Sequence, residues 1–130
     1  MKRPLLAVGL VAALLSGAAP AQAYIATNGL LVQPESATTF NVPFRGRSGV
    51  SEFWCAAGDY VRNFLNMPAG TRIFRLSEPP RRGGEGIRFS LSGEGAASST
   101  GLSIVSSGPR GSVSASTAFA LCPPPFGRFR

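Results

Sequence analysis

The chain has 130 residues, 13 basic side chains against 6 acidic ones, two cysteines and no histidine. That length suits one small domain with a single modest core and excludes two. Without histidine the commonest general base and metal ligand is missing, and two thiols alone leave a tetrahedral zinc site short of ligands.

Residues 1–23 read as an export leader. Lys2 and Arg3 form a positive start, residues 5–15 an apolar run, and Ala21-Gln22-Ala23 a small-x-small cleavage site. The apolar run is too short for a comfortable membrane span. The expected mature domain is 24–130, periplasmic or secreted, with no transmembrane segment left after cleavage. Losing Lys2 and Arg3 takes the 13 basic residues to 11 against 6 acidic, net +5. All eleven are arginine, whose planar fork suits carboxylate, phosphate and sulfate groups. A codon bias would produce the same pattern without functional meaning.

Residues 24–32 are apolar and β-prone, interrupted by the turn signal Asn28-Gly29. They predict either a short edge hairpin or a strand beginning near Leu30. Residues 33–36 read as a turn, and 38–42 as a strand with Phe40 and Val42 on one face. Arg45 and Arg47 lie in the connection to the next helix. They read either as a solvated loop or as aids to an anion at that helix's amino end.

Residues 51–65 carry the helical signal around which the domain is organised. At about 100° per residue, Phe53, Ala57, Tyr60, Val61 and Phe64 share one face, widened by Trp54 and Leu65. Glu52, Asp59, Asn63 and Asn66 fall opposite and read as solvated. Ser51 or Ser48 is the expected N-cap, and Asn66-Met67-Pro68 the stop. Gly58 costs roughly 1 kcal/mol in mid-helix relative to alanine, so a close approach by another segment is expected there.

Residues 71–76 and 86–92 predict two antiparallel strands, with Ile87, Phe89 and Leu91 facing inward. Their nine-residue link, 77–85, is stiff with proline at one end and loose with glycine at the other. This hairpin gathers Arg72, Arg75, Arg81, Arg82 and Arg88, the densest basic group and the candidate anion-binding residues. The competing reading is a soluble tip whose edge charges deter strand aggregation.

Residues 93–100 are a small, polar connection, 102–105 a short strand and 107–111 a turn. Residues 112–122 alternate as a final strand, with a small-sided face that includes Cys122. From 123 a proline-rich tail begins, stiff and extended, ending in aromatic and basic residues.

Cys55 and Cys122, both in the exported part, are expected to pair as a disulfide. Cys55 lies about 150° from the centre of the apolar helix face, so a bridge straight into the sheet is awkward. Either the first helical turn is loose, or the segment after Cys122 rises past the helix flank and covers Trp54 and Gly58.

The expected architecture is α+β: a small, mostly antiparallel sheet of about five strands against one α-helix, stapled by the disulfide. No nucleophile, base and orienter can be named together, and no metal ligand set or cofactor motif appears. The leading functional expectation is a small, non-catalytic binding or structural module of the bacterial cell envelope with a protein partner. The alternative is an anion-binding protein that meets lipopolysaccharide, anionic glycan, nucleic acid or a membrane surface through the arginine hairpin. A third reading, an enzyme of unfamiliar type, rests on Glu85 and Glu94 as a carboxylate pair brought together by folding.

Overall fold

Period-two alternation along the chain resolves into six short strands, seen here in a computed structural model that describes residues 22–46, 48–103 and 109–124. They are β1 (Tyr24–Ile25), β2 (Leu31–Pro34), β3 (Thr39–Val42), β4 (Arg72–Arg75), β5 (Ile87–Ser90) and β6 (Ser112–Ser114). All neighbouring strands are antiparallel, in the order β1-β2-β3-β5-β4-β6. The expected edge hairpin forms as β1 and β2 around Asn28-Gly29, and the expected arginine hairpin as β4 and β5. Most of the leader, Arg47, Ile104, Val105 and the tail from Pro125 lie outside the described residues. Leu102 and Ser103, expected to open a strand, are irregular.

Register fixes the inner face. Phe40 faces Phe89, Val42 faces Ile87, Ile73 faces Val113 and Arg75 faces Phe89. Facing residues point the same way, so these side chains form one buried layer. The opposite face is largely polar, and there Asn41 Nδ2 donates to Gln33 Oε1.

Helix α1 (Val50–Asp59) lies on the inner face and passes into a π-helical turn, Tyr60–Phe64. Trp54 meets Phe89 edge-on at 4.8 Å, and Phe40 meets Tyr60 at 4.7 Å between ring centroids. Asn66 ends the segment with φ 57°. At the start, Gly49 is the N-cap, and its N–H donates to Glu52 Oε1 at 2.7 Å. Neither expected serine caps the helix; the Ser48 hydroxyl donates to the Arg45 carbonyl instead. The carboxylate reaches back to bind the cap N–H without needing a hydroxyl at the cap.

Two expectations fail for one reason: α1 has no solvent face between Phe53 and Asp59. The first is the strand over 112–122. Only Ser112–Ser114 is extended, and Ala115–Phe119 forms a second short helix, α2. Ser114 Oγ accepts the Thr117 N–H at 3.2 Å and caps it, while Ala115 and Ala118 bury one small-sided face. Alternation among serines and alanines fits either conformation, and packing decides it. The backbone of α2 crosses α1 at Gly58. This crossing brings Cys122 beside Cys55, with a Cα–Cα distance of 4.8 Å. The element that covers the helix is thus α2, which precedes Cys122, and not the segment expected to follow it. Gly58 is covered by Ala118 and Phe119, and Trp54 is buried against Phe89 and the Thr100 carbonyl.

The second failure is Asp59, expected in solvent but 2% exposed. It accepts bonds from the Tyr24 hydroxyl (3.1 Å), the Thr27 N–H (2.7 Å) and Asn63 Nδ2 (2.7 Å). The β1–β2 hairpin thus latches onto the far side of α1 through one carboxylate.

This latch titrates. Burial first, then the bond to Asp59 and its negative charge, push the Tyr24 phenol up to about 12. Burial also raises Tyr60. A folded-state pKa above the unfolded value of about 10 gives stability that is complete below that value. It is lost as pH rises through about 12. Native protein should therefore form tyrosinate well above the ordinary range by absorbance, and Tyr24→Phe should reduce the alkaline loss of stability. Tyrosinate forming at the ordinary pKa in the folded protein would contradict the latch.

Candidate functional site

The five hairpin arginines do not form one patch. Arg72 lies on the polar face, where Nη2 donates to the Ser112 carbonyl (3.1 Å) and hydroxyl (3.0 Å). Arg88, also on that face, pairs with Glu35 at 2.7 Å, which raises its pKa. The Arg82 side chain is exposed, and its backbone N–H donates to Glu85 Oε1. Arg75 and Arg81 remain, and these two line one cleft.

Arg75 shares its strand face with Ile73, so its side chain enters the core layer and is 0% exposed. Nε donates to the Ser77 carbonyl at 2.7 Å and Nη1 to the Thr100 carbonyl at 2.9 Å. The same Thr100 carbonyl accepts Trp54 Nε1 at 3.1 Å. Gly101, at φ +83°, lets this backbone lie on the guanidinium; a Cβ there would sit 2.5 Å from Arg75 Nη1. Nη2 has no partner among the described residues.

Arg81 reaches from the loop across the start of α1. Its guanidinium lies 4.9 Å from the Phe53 ring centroid and 5.4 Å from that of Phe44. Nη1 donates to the Glu85 carbonyl and Nη2 to the Ser48 carbonyl. Nε is buried and unpaired among the described residues.

The cleft has a volume of about 420 Å³ and is lined by Val50, Arg75, Pro79, Pro80, Arg81 and Gly101. Burial and the positive charge of Arg81 both draw the Arg75 pKa below its ordinary value, against a weaker pull from Glu78. Buried charges are ordinarily paired. All six acidic side chains of the sequence fall within the described residues, and the one ion pair there is Arg88–Glu35. Glu52 caps α1, Asp59 holds the hairpin latch, and Glu78 binds the Ser98 N–H and hydroxyl. Hydrogen bonding to Ser98 lowers the Glu78 pKa. None of the six acidic side chains forms an ion pair with Arg75 or Arg81.

Two other expected sites gain little. The amino end of α1 already holds the Glu52 carboxylate, and Arg45 Nη1 donates to the Gly29 carbonyl. Glu85 accepts from Arg82 while Glu94 sits on an exposed loop, and no hydrogen bond joins the two. Sequence reasoning grouped Arg75 with the surface arginines. Its parity with Ile73 was the available signal, but Arg72 with Phe74 offers an equally balanced alternative.

No helix among the described residues is long and apolar enough to cross a membrane. The chain matches no protein-family model, no curated protein and no solved structure.

Proposed function

We propose that the chain is an exported, non-catalytic binding module of the cell envelope that recognises an anionic group in the Arg75–Arg81 cleft. The observation that carries this reading is a wholly buried guanidinium with no ion-pair partner among the described residues. An unsatisfied buried donor costs about 1–3 kcal/mol, and a bound anion removes that cost on association. The leader-like start and the disulfide support export.

The test is titration of the purified, disulfide-bonded protein with sulfate, phosphate, small carboxylates, an anionic polysaccharide and anionic vesicles over a salt series. Trp54, the only tryptophan, reports on the site through the shared Thr100 carbonyl. At least one anion class should bind, more weakly as salt rises. Arg81→Met should reduce binding and Arg82→Ser should leave it unchanged. If no class binds, or if Arg82→Ser is as damaging as Arg81→Met, the cleft is not the recognition site. A protein partner would then be sought on other surfaces.

A further inference from the structure

We infer that the ligand of the Arg75–Arg81 cleft is a monocarboxylate carried on an apolar group. This rests on the reading of the cleft as an anion site and names the chemistry it takes.

Two atoms define the polar end: Arg75 Nη2 and Arg81 Nε, both buried and both unpaired among the described residues. Arg75 Nε donates its one N–H to the Ser77 carbonyl, and the other three Nη groups each direct at least one of their two N–H bonds to the carbonyls of Thr100, Glu85 and Ser48. Donors on two guanidiniums match the two oxygens of one carboxylate, and charge-assisted bonds of this kind are the strong ones. A phosphate or sulfate brings further oxygens that also need donors. The walls offer few, because Val50, Pro79 and Pro80 present apolar side chains and proline has no N–H. An unsatisfied oxyanion oxygen against those walls would be desolvated without compensation. The same walls favour an aliphatic or aromatic substituent, and the cleft volume of about 420 Å³ suits a small organic group.

Both unpaired nitrogens are shielded from solvent. Binding therefore requires Arg81 to shift within its seat between the rings of Phe44 and Phe53, while Arg75 stays fixed by the strand. Arg81 is thus the movable jaw and Arg75 the fixed one.

Such a carboxylate has two sources, a free small acid or the carboxyl end of a peptide, and the experiment separates them. Trp54 emission and calorimetry would follow five probes: phenylacetate, its primary amide, phenyl phosphate, and a short apolar peptide in two forms, with a free and with an amidated carboxyl end. Phenylacetate should bind at least ~30-fold tighter than its amide, the scale set by losing a charge-assisted pair of bonds. It should also bind about tenfold tighter than phenyl phosphate, whose extra oxygens meet the proline wall. Peptide binding that is stronger than that of phenylacetate and lost on amidation identifies a chain end; the reverse identifies a free acid.

Arg75→Gln and Arg81→Gln should each abolish the preference for acid over amide. Arg81→Gln is the safer test of the two because its side chain lies outside the core layer. Phenyl phosphate binding as tightly as the carboxylate, with the same dependence on Arg81, would overturn the carboxylate assignment while leaving the anion site intact. If no probe in this set or the broader anion panel binds, both fall.

Discussion

Replacing Cys55 and Cys122 together with alanine should lower the free energy of unfolding by about 4 kcal/mol. The bridge joins residues 67 positions apart, and a closed loop of that length strongly restricts the unfolded chain. Small domains are stable by roughly 5–15 kcal/mol, so the loss takes a large share of the total. Its structural part falls at one place. Cys122 lies three residues past the end of α2, and its N–H donates to the Phe119 carbonyl. The bridge therefore holds the last helix against α1, and Cys55 is wholly buried beneath it. Denaturant unfolding of the double variant, and of the wild type under reducing conditions, should show the same loss. The denaturant slope should rise as the unfolded chain expands. A loss below about 1 kcal/mol would mean that residual structure in the unfolded state, or the α1–α2 contact alone, supplies the constraint.

The parts of the fold legible in the sequence are those where one local signal has one solution. Ile87, Phe89 and Leu91 alternate too regularly for a helix, and β5 forms over Ile87–Ser90. The aromatic stripe from Phe53 to Phe64 has a helical period, and α1 with its π-helical turn spans it. The less legible parts depend on a neighbour that is distant in sequence. Asp59 looks solvated from its own helix and becomes buried because Tyr24 and Thr27 fold onto it from the first strand and turn. The 115–119 segment alternates like a strand and becomes a helix because small residues are needed over Gly58. The disulfide was readable from compartment, but its path was not, since it depends on α2. The cleft shows the same limit. Arg75 was legible as one of five clustered arginines, and only the strand pairing, with Arg75 opposite Phe89 and Ile73 opposite Val113, assigns it to the inner face.

Gly58→Ala tests the same contact from the other side, and two effects of opposite sign meet there. In a helix interior alanine is favoured over glycine by about 1 kcal/mol. Against that, a Cβ at Gly58 would fall onto the Phe119 backbone nitrogen, 2.7 Å from the Ala118 carbonyl carbon and 2.8 Å from the Ala118 Cβ. Overpacking costs about 1–3 kcal/mol where side chains can rotate away. Here the nearest atoms are backbone, and α2 has little freedom to move. It is tied by β6 on one side, where Ser114 pairs with Arg72, and by Cys122 on the other. The clash should prevail, with a net loss of about 2–3 kcal/mol for Gly58→Ala and more for Gly58→Val. Gly70→Ala, with open space around its Cβ position, should stay within about 0.5 kcal/mol of wild type. Because Gly58 and the disulfide constrain one helix–helix contact, the two perturbations should be non-additive when combined. Once the bridge is gone α2 can lift away, and Gly58→Ala should then cost less. A Gly58→Ala protein as stable as wild type would mean that α2 is not seated on α1. The route by which Cys122 reaches Cys55 would then have to be different.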